Sequence, residues 1–424
     1  MKKLRFLKLP PEVLLQIFKL LDIRDLRNLM LTNKYLKKFI INESSLWKFI
    51  YRDKLIINRM IKVRYLSWYD RCRLSHNWCK GKSTRRFIIE HNINYMPWVQ
   101  LLTTQILFLS YGKELSCYSF DHTGYKRQLL WNLTVPTVER FDVRTNDISR
   151  FIVKKNLIVC GNRDGSCAIY DFQDRNKKPD LVNYIRNCHN LGQKEVSAVE
   201  KWKNCIVTAS YVSPCIHFWS MNEGVCSESE TTANKNAILK TFEIPECVGC
   251  RSLAIDWSET KMAVGLNGNY IPICMDLNTD QYLIHPQRKA TSTNVVRDIQ
   301  WHNDAGIISV THTGYLQYTD LRTGDVTYKT KDPFESSLYC LKTDGDRAVV
   351  AGSSEYARCV LFDLRSPYPV QMYFTQKKFT PIYSLDFDTK KLISAGDRRV
   401  AINNFDGHGI KARDYSYNFP FDKK

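Results

Sequence analysis

Cysteine and histidine are the most reactive side chains of this sequence, and their spacing decides which chemistry they can support. Cys247 and Cys250 form a Cys-x-x-Cys pair, the spacing of redox and zinc centres, but no second pair lies nearby. Cys72, His76 and Cys79 have a metal-like spacing without an evident fourth ligand. We therefore expect free thiols, no catalytic residues, no metal ion and no cofactor.

Motifs of known chemistry are also missing from the sequence. It contains no Gly-x-x-x-x-Gly-Lys-Ser/Thr loop, no Gly-x-Ser-x-Gly elbow and no His-Glu-x-x-His pattern. The nine histidines are scattered and form no evident pair with a carboxylate. The fourteen cysteines are irregularly spaced beside strand-forming residues, which is typical of reduced, half-buried positions. These residues favour a binding function over an enzymatic one.

Positive charge is concentrated at one end of the 424-residue chain, whose formal net charge is +19. Residues 1–90 contain 22 Lys and Arg against 7 Asp and Glu, whereas residues 91–424 contain 40 against 36. Nucleic-acid binding by the larger, near-neutral part is therefore not expected, because a phosphate backbone requires a basic surface. The sequence shows neither an apolar run of about 18 residues nor a signal-peptide pattern, so we expect an intracellular protein without a membrane span.

The apolar pattern over residues 9–55 predicts several short helices. Pro10 and Pro11 suit the first turn of a helix, where the N–H would be unpaired anyway. Apolar residues then recur at i, i+3, i+4 and i+7 spacing, at Val13, Leu14, Ile17, Phe18, Leu20 and Leu21. The last helix is expected to be capped by Ser44 or Ser45. A segment of about 45 residues makes a poor independent core, so we expect it to complete its burial on a partner or on the rest of the chain.

An ordered set of residues in this segment resembles an F-box. The matching positions are Leu9, Pro10, Glu12, Ile17, Phe18, Leu21, Asp25, Leu26, Leu46 and Trp47. The resemblance implies binding to the Skp adaptor of cullin-RING ubiquitin ligases, with aliphatic and aromatic side chains filling pockets of the adaptor. Carried over residue by residue, the adaptor-binding set is Leu9, Pro10, Glu12, Ile17, Phe18, Leu21, Leu26 and Trp47. A helical cap packed wholly on the rest of the chain is the alternative.

From residue 85 onward the sequence repeats a β unit. Each copy has an apolar strand, a second strand ending in Gly or Ser, and a third strand ending in a bulky residue and Asp, most clearly in 158–171. The copies end 43 to 56 residues apart, at Asp121, Asp171, Ser220, Asp276, Asp320, Asp363 and Asp406. Such units bury their faces only against their neighbours, so we predict a closed ring of seven, with six or eight as alternatives. Residues 85–90 are predicted to supply the last outer strand.

This unit resembles the blade of a WD-repeat propeller. The chain is thereby identified as a member of the F-box/WD group, with an α+β multidomain fold: a small helical F-box followed by an all-β seven-bladed propeller. Residues 76–81, His-Asn-Trp-Cys-Lys-Gly, resemble the Asn-Trp-x-x-Gly segment that often precedes such propellers. The Trp-Asp dipeptide is replaced in every copy, so we expect most blades to lack the usual buried hydrogen-bond tetrad. This divergence resembles the dactylin-like members of the group.

The resemblance also gives the domain boundaries and the site of recognition. The expected order is the F-box (1–55), a linker with helical content (56–84), the propeller of divergent WD repeats (85–410) and a C-terminal tail (411–424). Partners of such propellers bind the narrow face, through the second position of each first strand and the turns between second and third strands. These positions are Ser149, Ser197, Leu253, Arg297, Tyr339 and Tyr383 on strands, and Arg163, Arg358, Arg398 and Arg399 on turns.

Arginine and tyrosine carry much of the energy of protein interfaces. The expected substrate-binding residues are therefore Arg163, Arg297, Tyr339, Tyr383 and Arg398. Arginine forks suit carboxylate and phosphate groups, so the protein substrate is expected to be acidic or phosphorylated. The alternative is that these are ordinary surface residues of blade turns.

Together these features predict the substrate-recognition subunit of a Skp–cullin–F-box ubiquitin ligase in the cytoplasm, the nucleus or both. Such a subunit is not itself an enzyme; it reaches the cullin and RING subunits through the Skp adaptor and recruits a target for ubiquitination. One alternative is a WD-repeat scaffold acting in complex assembly outside degradation. Another is an RNA-associated propeller that uses the basic N-terminal segment.

Overall fold

The computed structural model describes residues 6–59, 66–121, 127–138, 147–221, 238–286, 294–376, 379–407, 412–413 and 415. Most of the expected tail therefore lies outside the described residues. The helices are α1 (Pro11–Lys19), α2 (Ile23–Thr32), α3 (Lys34–Asn42), α4 (Ser44–Ile50) and α5 (Trp68–Cys79), with short 3₁₀ turns at Phe6–Lys8 and Asn190–Gly192. No helix in this part of the chain is long and apolar enough to cross a membrane.

The strands form seven antiparallel sheets of four strands each, which we call blades I to VII. Strand β1 is Thr84–Glu90. Blade I is β2 (Trp98–Leu101), β3 (Ile106–Tyr111), β4 (Glu114–Phe120) and β5 (Arg127–Thr134); blade II is β6 (Ile148–Lys154), β7 (Leu157–Asn162), β8 (Cys167–Asp171) and β9 (Asp180–Ile185). Blade III is β10 (Ala198–Trp202), β11 (Cys205–Ala209), β12 (Cys215–Ser220) and β13 (Ile238–Glu243); blade IV is β14 (Cys250–Ile255), β15 (Lys261–Leu266), β16 (Ile273–Asp276) and β17 (Tyr282–Ile284).

The remaining strands complete the ring. Blade V is β18 (Val296–Asn303), β19 (Gly306–Thr311), β20 (Tyr315–Asp320) and β21 (Val326–Lys331); blade VI is β22 (Leu338–Thr343), β23 (Ala348–Ser353), β24 (Arg358–Asp363) and β25 (Pro369–Phe374). Blade VII is β26 (Ser384–Phe387), β27 (Lys391–Ala395), β28 (Arg399–Asn404) and, as its outer strand, β1. The predicted seven-bladed propeller is therefore confirmed.

Closure of the ring joins the two ends of the propeller sequence. Strand β1 pairs antiparallel with β28, from Thr84 opposite Asn404 to Glu90 opposite Arg399. The prediction that residues 85–90 supply the last outer strand is therefore confirmed. Adjacent blades bury apolar side chains against each other: Phe108 of blade I and Phe151 of blade II are fully buried in one cluster. This packing is the reason that the sheets close instead of ending in an exposed apolar face.

The N-terminal helices α1 to α4 form a small unit with its own core. Its fully buried side chains include Leu14, Leu26 and Ile40. Pro10 and Pro11 stand at the start of α1, as predicted. The cap of α4 is Glu43, which accepts a hydrogen bond from the Ser45 N–H at 3.1 Å. The predicted Ser44 or Ser45 cap is wrong, because both serines already lie inside the helix.

Helix α5 belongs to both cores. Near its N-terminal end, Cys72 is buried among the helices of the N-terminal unit. At its C-terminal end, Trp78 is fully buried between blades VI and VII and stacks on Phe405 with ring centroids 3.9 Å apart. The Trp78 indole N–H donates to the Thr389 carbonyl at 2.9 Å. One rigid helix thus fixes the helical unit to the propeller, and the unit is not merely a cap on the propeller.

The Asn-Trp-x-x-Gly pattern has a structural role in this junction. The Asn77 side chain donates to the Phe405 carbonyl at 2.7 Å, and Gly81, with φ of +60°, ends the helix in the left-handed region. Ion pairs from Arg73 and Lys390 to Asp406, at 2.5 and 2.7 Å, surround the same junction. The pattern therefore marks where the chain passes from helices into β1.

Blade III keeps a buried polar network although its signature dipeptide is lost. The hydroxyl of Thr208 accepts a hydrogen bond from the Trp219 indole N–H at 2.8 Å and lies 3.1 Å from Nε2 of His189. Burial, together with the neighbouring His217, lowers the pKa of His189 from 6.5 to about 3, so the ring is neutral. This network ties the loop between blades II and III to β11 and β12, the two middle strands of blade III.

Candidate recognition surfaces

One end of the central channel brings together most of the residues predicted to bind a substrate. We call it the upper cavity; it has a volume of about 200 Å³. The predicted residues that line it are Ser149, Arg163, Ser197, Arg297, Tyr339 and Tyr383. Residues that are distant in the sequence, from blades II, III, V, VI and VII, therefore face one another. The geometry agrees with the predicted recognition face; contact with a substrate stays a prediction.

Irregularities at the start of the first strands place these side chains. In β6, β18 and β22 the pairing register shifts across the second residue, which is Ser149, Arg297 and Tyr339 respectively. The side chain of a residue that is skipped by the pairing in this way points in a different direction from a side chain of a regular strand. In blade IV the skipped residue is Arg251, between Cys250 and Ser252. The prediction of Leu253 is wrong, because Leu253 pairs regularly with Val264 two residues further on.

Arg297 is held by aromatic groups and by a neutral histidine. Its guanidinium lies 4.8 Å from the centroid of the Tyr339 ring, and its Nη2 lies 3.0 Å from Nδ1 of His312. The rings of Tyr339 and Tyr383 are 6.2 Å apart, and the Tyr383 hydroxyl donates to Asp397 at 2.8 Å. Burial lowers the pKa of Arg297 and also that of His312. This corner of the cavity is positively charged and aromatic.

Arg163 and Arg251 lie on either side of one carboxylate in the opposite wall. The Glu195 oxygens are 3.6 Å from a guanidinium nitrogen of Arg163 and 3.6 Å from one of Arg251. Burial lowers the pKa of Arg251 to about 10, and the charge of Arg297 acts in the same direction. Sequence reasoning missed Arg251 because it placed the second position of β14 two residues too late, at Leu253, and it missed Glu195 because this residue lies in an irregular loop.

An ion pair across the channel forms the floor of the upper cavity. Arg150 of blade II donates to Asp298 of blade V at 2.9 Å, and its guanidinium lies 4.2 Å from the Trp98 ring centroid. Asp298 also accepts from the Leu341 backbone N–H at 3.0 Å. Arg150 and Trp98 line both the upper cavity and a larger cavity of about 680 Å³ on the opposite side. The pair therefore separates two ends of one channel.

The other predicted turn arginines lie elsewhere. Arg358 is fully buried and donates to Asp332 at 2.5 Å, so its prediction as a surface residue is wrong. Burial favours this pairing because an isolated buried charge would be too costly. Arg398 is exposed on the turn between β27 and β28, where it donates to Asn94 at 2.6 Å, outside the upper cavity. Arg399 pairs with Glu90 of β1 at the outer edge of blade VII.

The residues predicted to bind the adaptor divide into two groups by burial. Phe18 and Leu26 are fully buried, and Trp47 is 4% exposed, with its indole N–H donating to the Ile40 carbonyl at 2.7 Å. These three side chains hold the helices of the unit together. The remaining five, Leu9, Pro10, Glu12, Ile17 and Leu21, are exposed or half-buried. Only the side chains of the second group are accessible to an adaptor in this structure.

Several apolar side chains of the helical unit are exposed as well. Leu20 is 86% exposed and Leu31 is 77% exposed. Further exposed side chains on the same unit are Phe6, Leu7, Val13, Tyr35 and Phe49. The sequence pattern places Leu20 and Val13 on the apolar face of the first helix and assigns Tyr35 and Phe49 to the third and fourth helices, but it does not predict that these side chains are exposed. So many exposed apolar side chains on so small a unit are typical of a protein with an interaction surface there.

The cysteines and histidines singled out by spacing form no metal site. Cys72 lies in the helical core and Cys79 beside Trp78, and no group of three or more potential ligands occurs among the described residues. The hydrogen bond between Cys250 and Cys247, together with burial, raises the pKa of the Cys250 thiol, and the same hydrogen bond lowers the pKa of Cys247. All cysteines in the described ranges are free thiols.

Comparison with known proteins identifies both units. The F-box-like family model matches residues 6–53. F-box/WD repeat-containing protein 4 of Mus musculus is 25% identical over 94% of this chain and 93% of its own length, and that of Homo sapiens is 24% identical over 94% and 92%. The WD40 β-propeller domain of Doa1 superposes with a TM-score of 0.54 (14% identity, 76% of this chain, 97% of that chain). The C-terminal WD40 domain of Sif2 superposes with a TM-score of 0.53, at 12% identity over 76% of this chain and 99% of that chain.

These findings agree with the architecture in every part. The F-box-like match spans α1 to α4, and the similarity to the mouse and human proteins continues through the propeller. F-box/WD repeat-containing protein 4 is dactylin, so the predicted resemblance is confirmed. At the level of the family, this combination is that of substrate receptors of Skp–cullin–F-box ligases, which are typically non-catalytic and bind Skp and a protein substrate. The chain has an F-box-like domain ahead of a seven-bladed WD40-type propeller and is similar over most of its length to F-box/WD repeat-containing protein 4.

Proposed function

We propose that this protein is the substrate-recognition subunit of a Skp–cullin–F-box ubiquitin ligase and recruits a target protein for ubiquitination. The observation that carries the proposal is the F-box-like domain over residues 6–53, rigidly joined to a propeller with a chemically distinctive cavity. The helical unit contacts the Skp adaptor and, through it, the cullin and RING subunits. The protein supplies no nucleophile and no acid–base group to the transfer.

The exposed apolar side chains of the helical unit support the adaptor half of this proposal. Leu20 and Leu31 present large apolar groups to solvent, and Leu9, Ile17 and Leu21 of the same unit are half-buried. Covering such groups with a partner removes apolar area from water, which favours association by roughly 25 cal/mol per Å² before the costs of binding. The side chains buried inside the unit, such as Phe18, preserve the shape of that surface.

The junction at α5 supports the mechanism, which is proximity. A receptor raises the local concentration of a target near the ubiquitin-conjugating enzyme most effectively when the distance between its two binding ends matches the span between the sites. Trp78 is fully buried in the propeller, and Cys72 on the same helix is fully buried in the helical unit. Twelve residues of one helix therefore set the distance and angle between the two ends.

The upper cavity supports recognition of an acidic or phosphorylated protein. Arg163, Arg251 and Arg297 line it together with Tyr339 and Tyr383. Guanidinium groups bind carboxylates and phosphates through paired hydrogen bonds, and tyrosine rings add buried area at low entropic cost. The free thiols are consistent with a reducing compartment, and we propose the cytoplasm, the nucleus or both. Imaging of the tagged protein tests this location.

Capture of the adaptor from cells tests the proposal directly. The tagged full chain is expected to recover the Skp adaptor and cullin, and simultaneous replacement Leu9→Ala, Pro10→Ala and Ile17→Ala is expected to abolish their recovery. The matched control replaces Leu129, Leu181 and Leu239 by Ala, three exposed leucines on outer strands of the propeller. Recovery of other proteins without Skp or cullin by the unmodified chain would favour the scaffold function. Retention that is lost on nuclease treatment would favour RNA association.

A further inference from the structure

The upper cavity contains one carboxylate whose position is fixed by the backbone. Glu195 lies in the loop between blades II and III, directly before Val196. The Val196 N–H donates to the Asn162 carbonyl at 3.0 Å, and the Ser197 side chain donates to the Cys250 carbonyl at 2.8 Å. On the other side, a Cβ at Gly165 would lie 2.8 Å from the Lys194 carbonyl. The backbone of the loop is thus held on both sides of Glu195, whose own side chain is half-buried.

Glu195 is placed as an incoming anion would be placed. Both of its carboxylate oxygens face guanidinium groups, those of Arg163 and Arg251, each at 3.6 Å. A charge-assisted hydrogen bond between such groups is 2.7–2.9 Å long, so neither contact is a full hydrogen bond. Among the described residues that line the upper cavity, Glu195 is the one carboxylate. The two arginines are therefore attracted to it but not saturated by it.

Two arginines of the cavity retain buried donors that no acceptor in the described ranges fills. The Nε atoms of Arg163 and Arg297 are both buried and make no hydrogen bond in the described part of the chain. Arg150 is neutralised by Asp298, whereas Arg297 forms no ion pair with any carboxylate of the described residues and has the neutral His312 beside it. Buried donors without acceptors are rare in native proteins and call for a partner. Positive charge therefore exceeds negative charge in the cavity even with Glu195 in place.

We propose that Glu195 is an internal competitor for the recognition site: an anionic group of the partner enters the upper cavity, binds Arg163, Arg251 and Arg297, and displaces the Glu195 carboxylate. This inference rests on the proposed function only in taking the cavity as the recognition site. When the partner displaces Glu195, the attraction between Glu195 and two arginines is lost. A strongly charged oxyanion replaces that attraction with its own, whereas a group that makes a single weak contact does not. Glu195 therefore sets the specificity of the site and keeps the arginines from binding anions indiscriminately.

Binding of two labelled peptides to the purified full chain tests this role. The first is a glutamate-rich hexapeptide, and the second is the same peptide with one glutamate replaced by phosphoserine, so the carboxylate and phosphate sources are distinguished. The test variant is Glu195→Gln, which keeps the shape and removes the charge. The matched control is Glu335→Gln, which removes an acid that is 69% exposed and pairs with Lys331 outside the cavity. Arg251→Gln removes one of the cavity arginines.

We expect Glu195→Gln to bind at least one peptide about tenfold more tightly than the unmodified chain, equivalent to ~1.4 kcal/mol. Glu335→Gln should change the affinity less than twofold, and Arg251→Gln should weaken it. The peptide with the larger gain identifies the source of the anion. Equal affinities for the Glu195 and Glu335 variants would overturn the competitor role, and the absence of binding by every protein at millimolar peptide would overturn the anion site. Capture of the Skp adaptor is measured separately, so failure here is distinct from failure of the proposed function.

Discussion

Replacement of Trp78 is the perturbation that the structure predicts most fully. The ring is completely buried, stacks on Phe405 at 3.9 Å and meets the Tyr373 ring edge-on at 5.6 Å. Truncation of a buried Trp to Ala costs about 3–5 kcal/mol, because packing is lost and a cavity remains. Trp78→Phe keeps most of the ring but leaves the Thr389 carbonyl without its donor, which costs about 1–3 kcal/mol. We expect both changes to lower the free energy of unfolding, in that order of severity.

Urea denaturation followed by far-ultraviolet circular dichroism measures this effect. The matched control is Trp257→Ala, which removes the same side chain from a position that is 78% exposed and should change stability by less than about 0.5 kcal/mol. Limited proteolysis gives a second readout, since Trp78→Ala should release the helical unit as a separate fragment. Equal urea midpoints for the Trp78→Ala and Trp257→Ala proteins, with no fragment released, would refute the rigid junction.

Three further predictions concern the fold and the recognition face. Because the pKa of His189 is lowered to about 3, this ring becomes protonated near pH 6.5 in the unfolded chain but stays neutral in the folded chain. The free energy of unfolding should therefore fall as the pH drops below 6.5, by roughly 2 kcal/mol at pH 5. The fall should be smaller in His189→Gln. Stability that is flat from pH 7 to pH 5 would contradict this. Thr208→Val removes the centre of the blade III network and should cost about 1–3 kcal/mol in thermal or urea unfolding, whereas an unchanged transition would show that the network is dispensable. The fragment 67–424, which keeps α5 and β1, should unfold cooperatively, and 92–424 should not; a cooperative transition in both would mean that ring closure by β1 is unnecessary.

The repeat and its closure could be predicted because they depend on a period. A bulky residue followed by Asp, or by Ser220 in one copy, recurs with every blade, as at Asp171 and Asp363, and the spacing alone counts seven. The outer strand at residues 85–90 followed from the same count, since the last copy lacked one strand. Periodic features survive the loss of individual signature residues, because each blade must still pack against two neighbours.

The recognition face was predicted in part, and the misses have physical causes. Arg297, Tyr339 and Ser149 were found because the second position of a first strand was the right place to look. Arg251 was missed because β14 was expected to start two residues too late, so that Leu253 was taken as the second residue of the strand. Arg358 was misplaced because its partner, Asp332, is 26 residues away in the preceding inter-blade loop. No local sequence pattern predicts an ion pair between residues so far apart in the chain.

Burial inside the helical unit was the least predictable property. The sequence pattern groups Phe18 with Ile17 as one apolar face, but only the former is fully buried. Which side of a short amphipathic helix meets its own unit, and which meets a partner, depends on the angles between helices. Those angles are set by packing around side chains such as Leu14 and Ile40, which the spacing along one helix does not encode.

The central claim is that two separate ends of this molecule bind two different proteins. Quantitative mass spectrometry of proteins captured from cells measures it, with two variants beside the unmodified chain: Leu9→Ala, Pro10→Ala, Ile17→Ala at one end, and Arg297→Ala, Tyr339→Ala, Tyr383→Ala at the other. The account predicts that the first variant loses the Skp adaptor and cullin but keeps a target, and that the second loses the target but keeps the adaptor. Loss of the same proteins by both folded variants, or of none by either, would contradict it.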